Sequence, residues 1–425
     1  MNYNPNIPRN TSVEYRAKWS FSLILTGIVV VLNSGYALTV GYNRIIPLIT
    51  ALFAIVLYIK ANTVRPVFAE RLEPEDVLLI VMIITMFLAA IINDDFSSWL
   101  EYLRLFAVIV TAFCIAKILE IKIFAHYFTY IMRFITVISI VLFTLIDNSI
   151  ISLPIIKNGM DVSYYTAYIF SCNSSVVNLR NSGIFWEAGL FAAFIMLALI
   201  FEIVYMPKNK YKTLFYFVYG YALFSTESTA AYVYILMAVI LLLSYKANNF
   251  IKILLVSSLI IGTVYLYLYY DEIIDILISW QPTVFRKLSL ENFSVTDRTY
   301  NPLADLLISL EYPLGSGVGS VTNLSKEFTW RYFAIDLRTR TSTLTYFFAA
   351  FGIFSGVIYN YSWIRGLAKK SNLKTLTKII IIISVIMLAT SSPLNANMTF
   401  WIIVFMFTKN TISSNKNHRN AKHIS

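Results

Sequence analysis

The chain has little that titrates or crosslinks. Its 425 residues include two cysteines and three histidines, and charged residues make up only 13%. Cys114 lies in an apolar run and Cys172 in a polar loop, so no bridge between them is expected and disulfides play no part. The histidines are His126 and, in the C-terminal tail, His418 and His423. There is no ATP-binding loop, and the longest polar segment carries no Asp-x-Asp pair of the kind that holds a metal-bound sugar nucleotide. No internal repeat is visible, which argues against a transporter of duplicated halves. No cleavable signal peptide is expected, because the first apolar run lacks a small-residue cleavage site and another follows at once.

What the chain does have is apolar length. Hydrophobic residues make up 58% and aromatic residues 16%, which excludes an ordinary soluble domain. Runs of about 17–25 apolar residues cross a bilayer as helices. Such runs predict about twelve spans, at 19–40, 45–59, 77–92, 99–116, 123–146, 184–205, 213–226, 229–245, 250–270, 343–363, 378–394 and 398–408. Loops rich in Lys and Arg fall on every second turn: Arg9–Lys18, Lys60–Arg71, Lys117–Lys122, Lys208–Lys212, Lys246–Lys252, Arg365–Lys378 and the tail 409–425. Lys/Arg excess marks cytoplasmic loops. The expected topology is a multi-pass protein of a bacterial inner membrane with both termini cytoplasmic, and no histidine then lies outside to serve as a base or zinc ligand. The net charge of +11 is that inner-loop bias plus attraction to anionic membrane lipid, not a sign of nucleic-acid binding.

Two outer loops stand apart from the single transmembrane domain 1–425: a first loop, 147–182, and a large one, 271–342. Loops beyond about 15 residues tend to be functional or disordered. In the large loop Asn301-Pro302 reads as a helix start. Leu303, Leu306, Leu307 and Leu310 follow at helical spacing, which predicts an amphipathic helix on the membrane surface. Pro313 stops it. The following Gly315, Gly317 and Gly319 read as a tight, close-packed turn rather than a phosphate cradle, since no Lys-Ser/Thr follows.

Arginine recurs outside as Arg180, Arg298, Arg338 and Arg340. Its planar fork binds phosphate and stays charged at any relevant pH; the alternative for each is a lipid headgroup or a pairing acid. Arg104 lies within a span, one turn below its outer end, and either reaches the same space or snorkels. Arg133 is deeper and expected to be neutralised by a structural partner. Glu187 is placed about four residues into a span, seven after Arg180, so that both share a helical face if the helix starts early. A carboxylate there costs a few kcal/mol unless it faces a cavity or a partner. Glu227, in the turn Ser225-Thr-Glu-Ser-Thr, and Asp297 are the other candidate bases. The outer side has no ATP or nucleotide sugar, so synthesis there needs a pre-activated donor delivered by the membrane. A lipid-linked pyrophosphate sugar is such a donor. Arginines would stabilise the leaving pyrophosphate, and a carboxylate would orient or deprotonate the attacking hydroxyl.

The run Arg180-Asn-Ser-Gly-Ile-Phe-Trp-Glu-Ala-Gly resembles a motif of the O-antigen polymerase/O-antigen ligase superfamily, roughly Arg-x-x-Gly-x-Phe-x-Glu-Pro, with Ala188 in place of the usual Pro. Arg298 followed by an apolar helix and Pro313-Leu-Gly-Ser-Gly-Val-Gly resembles the start of that family's large periplasmic loop. Thr341-Ser-Thr-Leu-Thr-Tyr resembles its end. The His-Asn pair that ligases commonly carry there is missing. The resemblance implies a metal-independent, cofactor-free glycosyltransferase of the multi-span GT-C type, an all-α polytopic fold. It implies O-antigen polymerisation in lipopolysaccharide biosynthesis: the growing glycan passes from undecaprenyl pyrophosphate to the next lipid-linked repeat unit, with inversion. A chain-length regulator and a flippase are implied partners. Arg180 and Arg298 would bind the donor pyrophosphate, with Arg338 or Arg340 and Arg104 helping. Glu187 is the expected acceptor-orienting group. Two alternatives stay open: a ligase, and a flippase of the same glycans, which would need polar residues along its whole central path.

Overall fold

A computed structural model describes residues 9–409, apart from 38–44, 63–71, 158–162, 168–169, 174–178, 207–210, 338–339, 341, 370–372 and most of 247–267 and 281–292. The expected span 250–270, Arg338 and the tail beyond Lys409 therefore lie wholly or largely outside the described residues. The described chain is mostly helical. Four helices are long and apolar enough to cross a membrane: Pro74–Ile92, Phe96–Ile118, Ile121–Asp147 and Tyr346–Ala368. Six shorter apolar helices accompany them.

We number the helices α1 (Arg9–Leu32), α2 (Ile45–Asn62), α3 (Pro74–Ile92), α4 (Trp99–Ile118), α5 (Ile121–Asp147), α6 (Ala188–Val204), α7 (Lys212–Ser225), α8 (Thr229–Lys246), α9 (Tyr270–Trp280), α10 (Phe293–Glu311), α11 (Val321–Phe333), α12 (Tyr346–Ala368), α13 (Thr375–Ser391) and α14 (Met398–Thr408). Every predicted span outside 250–270 is met by a helix. Two helices form the axis. All of α14 is buried, as is α6 from Ala188 to Ile203, as expected of helices that are apolar nearly all round. Around them α5, α7 and α8 pack on α6, while α4 and α12 pack on α14.

One ion pair bolts the axis to its neighbours. Arg133 of α5 donates to both oxygens of Glu202 of α6, at 2.7 Å and 2.8 Å from Nη2 and 3.1 Å from Nε. Both residues are buried. The Arg133 guanidinium also lies 4.1 Å from the Phe215 ring centre on α7. This is the structural partner expected for Arg133.

The fold is mostly helical, as expected, and within the first outer loop β1 (Ile155–Lys157), β2 (Ser163–Thr166), β3 (Ser171–Asn173) and β4 (Arg180–Asn181) form a small antiparallel sheet in that order. Three expectations need correction. The first span stops at Leu32, because Tyr36 pairs with Phe185 as an isolated antiparallel bridge and Gly35 turns there at φ +100°. Helix α6 starts at Ala188, so Glu187 is its N-cap rather than a residue inside the span. Finally, α10 begins at Phe293 and carries Pro302 within it. Asn301-Pro302 therefore does not open that helix, and Pro302 leaves the Arg298 carbonyl without its helical donor.

The inward face of α10 is polar and its outward face is apolar. Asp297, Asn301, Ala304, Asp305 and Ile308 are buried, whereas Leu303, Leu306 and Leu310 are 42%, 43% and 71% exposed. That inversion suits a helix with lipid outside and a polar space inside.

Removing one member of the α5–α6 pair leaves a buried charge uncompensated, at a cost of about 3–5 kcal/mol. Arg133→Met alone should sharply lower the thermal unfolding midpoint of detergent-purified protein. The double variant Arg133→Met with Glu202→Leu should recover most of that loss. Equal melting of the single and double variants would show that the pair does not bolt the axis.

Candidate active site

The small sheet delivers Arg180 and Glu187. In β4, Asn181 donates from Nδ2 to Ser225 Oγ of α7 at 3.0 Å, and its Oδ1 accepts from Gly183 N at 3.0 Å. Gly183 then turns at φ +60°, where an added Cβ would lie 2.8 Å from the Phe191 ring. Trp186 N donates to the Gly35 carbonyl at 3.0 Å, and Tyr164 of β2 donates its hydroxyl to the Trp186 carbonyl at 2.5 Å. The chain is therefore clamped on both sides just before Glu187, whose extended backbone, φ −138° and ψ 137°, caps α6. Burial pushes the Tyr164 hydroxyl up to about 12, with the Glu187 charge adding to the shift.

Three further elements close on this cap. Arg180 donates from Nε to the Thr226 carbonyl at 3.1 Å, in the turn between α7 and α8. The next residue of that turn, Glu227, has φ +45°, a left-handed conformation that costs a non-glycine residue about 1–2 kcal/mol. Arg298 reaches from α10 to Thr229 Oγ1 of α8, 3.4 Å from Nη1, and among the described residues its buried Nε has no hydrogen-bond partner. Glu187 is half-buried. Burial raises its carboxyl above the ordinary glutamate range, opposed by the charges of Arg298 and Arg180. The carboxylate feels both guanidinium groups but, among the described residues, hydrogen-bonds to neither. Arg180 feels Glu187, Glu227 and Arg298 in turn. The structure thus brings Arg180, Glu187, Glu227 and Arg298 into one cluster. Arg180 and Glu187 meet through a strand and a cap, not along a shared helical face.

A second cluster lies across the loop joining α13 to α14. Arg340 pairs with Asp305 of α10 at 2.6 Å, and Arg104 pairs with Glu101 at 3.2 Å. Both arginines line a cavity of about 340 Å³ with Ser342, Tyr346 and Asn395. A neighbouring cavity of about 260 Å³ shares Arg104, Pro393, Asn395 and Ala396 with it and reaches Trp186 and Leu190. Arg104 therefore stands where the two cavities meet, and the second ends beside the Glu187 cap. The clusters are joined as well through Tyr234 of α8, which feels both Arg298 and Glu187 and hydrogen-bonds to Ser391. Thr343 links the same wall to Ser392 and Leu394, at 3.0 Å and 2.7 Å.

Asp297 is buried on the inward face of α10. Reading the sequence alone missed Glu101, Asp305, Tyr346 and Asn395. Asp305 carried a usable signal, since it lies two helical turns beyond Asp297. Asn395 carried only its place in a short polar break between apolar runs.

The glycine turn forms the roof, and it is the close-packed turn expected. Asp95 Oδ2 accepts from Gly319 N at 2.7 Å and from Tyr102 Oη at 3.1 Å, and Val318 N donates to that same Tyr102 oxygen at 3.0 Å. Gly315 and Gly352 turn at φ +96° and +87° so that their backbones can touch. Among the described residues no group of three or more His, Cys, Asp or Glu side chains is placed to hold a metal ion. No protein-family model, curated protein or solved structure matches this chain, so the reading of the site rests on its own geometry and chemistry.

A Cβ at Gly319 would collide with Ser98 and Asp95, whereas one at Gly220 would meet nothing within 4 Å. Gly319→Ala should displace the turn and lower the unfolding midpoint, and Gly220→Ala should not lower it. The reverse order would remove the turn from the site's framework.

Proposed function

We propose that this chain is a membrane glycosyltransferase that polymerises a lipid-linked surface glycan. It belongs to the multi-span, GT-C-like type, with about twelve spans and the loop-bearing end outside the inner membrane. The growing glycan leaves undecaprenyl pyrophosphate and joins the next lipid-linked repeat unit. The observation that carries this reading is a half-buried carboxylate, Glu187, under the charges of Arg180 and Arg298 at the start of a buried helix. The alternation of Lys/Arg-rich loops supports the orientation, and the short motifs around Arg180, Arg298 and Gly315 support the family.

The chemistry follows from the residues. Arg180 and Arg298 bind the donor pyrophosphate. Arg298 has a buried Nε–H with no partner among the described residues, and that donor suits a phosphate oxygen. The bond between the anomeric carbon and the phosphate oxygen breaks, and its electron pair leaves on the pyrophosphate. The acceptor hydroxyl oxygen forms the new bond from the opposite face, which inverts the anomeric centre, and its proton passes to Glu187. Charge builds on the leaving pyrophosphate as the bond lengthens, and the two guanidinium groups stabilise it most at that point. The raised Glu187 pKa makes the carboxylate a better proton acceptor at neutral pH than an ordinary glutamate. The lipid-facing leucines of α10 hold the loop at the membrane surface, where both lipid-linked substrates arrive.

Two results test this reading. Arg298→Ala should cut polymer formation by about 10²–10³ while protein level stays unchanged, seen as a glycan ladder collapsing to a single repeat unit on a gel. Normal chain length in that variant would sink the assignment. In purified protein the rate should fall as pH drops through the Glu187 pKa. Glu187 must be ionised to accept a proton, and burial raises its pKa, so the acid limb should lie above the ordinary range of about 4.3. Glu187→Gln should abolish the reaction. A limb at or below the ordinary value would assign the base elsewhere.

A further inference from the structure

The second cluster differs in kind from the first. Each of its arginines is in contact with its own carboxylate, Arg340 with Asp305 at 2.6 Å and Arg104 with Glu101 at 3.2 Å. Asp305 also accepts from Thr345 Oγ1 at 2.7 Å and Ser325 Oγ at 3.1 Å. Burial raises the Asp305 carboxyl above the ordinary range, opposed by Arg340 and by the two hydroxyls, and the 2.6 Å contact occupies one edge of the Arg340 guanidinium. Arg180 and Arg298, by contrast, form no such contact pair with the acid between them.

The cavity nevertheless offers hydrogen bonds. Among the described residues, Arg340 Nε and Nη1 and Arg104 Nε are buried without a hydrogen-bond partner. Beside these donors, Glu101 lines the wall with acceptor oxygens, and Tyr346, Asn395 and Ser342 add neutral groups. A phosphate carries acceptors alone and is repelled by Glu101. A sugar ring carries hydroxyls that donate and accept, and matches both sets. The volume of about 340 Å³ falls in the range of small-molecule sites, about 300–1,000 Å³. The adjoining cavity leads from Arg104 to Trp186, next to Glu187.

We infer that the cavity between Arg104, Arg340 and Asn395 is a glycan subsite, which holds a sugar of the acceptor by its hydroxyls, and not a second pyrophosphate site. On this proposal Arg104 and Arg340 hold sugar hydroxyls in place of the expected pyrophosphate. It rests on the proposed polymerase activity for the identity of the sugar, but its test requires no turnover.

The probe is the repeat-unit oligosaccharide of the host's surface glycan, hydrolysed free of lipid and phosphate. It is added to full-length protein in nanodiscs and followed by saturation-transfer NMR. Wild type should transfer saturation to the sugar ring protons, and inorganic pyrophosphate should not displace the glycan. Asn395→Ala and the rim-filling Thr322→Trp should each weaken binding at least tenfold, while melting as the wild type does. Arg298→Ala should bind the glycan as wild type does. Absence of transfer in wild type, displacement by pyrophosphate, or unchanged binding in both cavity variants would overturn the subsite. Intact glycan binding in an Arg298→Ala protein that still makes normal polymer would leave the subsite standing and overturn only the polymerase reading.

Discussion

Everything at the loop-bearing end follows from placing charge at the tip of a buried helix. Helix α6 is apolar apart from Glu202 and buried along almost its whole length, so its first turn begins where polar groups can gather. Glu187 caps it, close to the positive end of the helix dipole. Burial pushes that carboxyl toward its neutral form, and Arg180 and Arg298 pull it back. A carboxylate balanced in this way is sensitive to what binds beside it. On the proposed function, a phosphate that engages the guanidinium groups would weaken their hold on Glu187, and substrate binding would then raise its basicity.

Holding that balance takes unusual scaffolding, and the chain supplies it from distant segments. A four-stranded sheet anchors Arg180 through Asn181, and Gly35 and Tyr36 clamp the chain just before Glu187. Glu227 accepts a strained backbone in the turn that Arg180 grips. On the other side, Asp95 fixes the glycine turn that follows α10, and α10 carries Arg298 and Asp305 on one molecule-facing wall. The site is therefore assembled at the ends of helices that pack rigidly below it, with the loops as positioned walls rather than free connectors. The contrast between its two halves is chemical. One half holds guanidinium groups that, among the described residues, contact no carboxylate, and the other holds guanidinium groups already paired with one.

Much of this was legible in the sequence, for physical reasons. Apolar runs mark helices, so each predicted span outside 250–270 meets a helix, four of them long and apolar enough to cross a membrane. Arg180, Glu187 and Arg298 stand out because charge is costly near a span, and the structure brings them together. What the sequence could not give was the path of the chain between spans. Apolar length carried the first span through Asn33-Ser-Gly-Tyr and set Glu187 inside the sixth. Both errors come from one long-range pairing, Tyr36 with Phe185, which leaves no local signal. The small sheet has strands of only two to four residues, too short for alternation to register. Asn301-Pro302 looked like a helix start because proline suits a first turn, and only the packing of α10 shows a helix running through it. Glu101, Asp305 and Asn395 were passed over because their importance lies in what faces them.

The most direct measurement is reconstitution. The purified chain is placed in liposomes with the lipid-linked repeat unit as sole substrate, without nucleotide and with a chelator present, and the products are followed by mass spectrometry. The account predicts glycan of two or more repeat units on one lipid, with one undecaprenyl pyrophosphate released for each bond formed. Repeat units that cross the bilayer without lengthening, or that remain unchanged while the protein is folded, would contradict it.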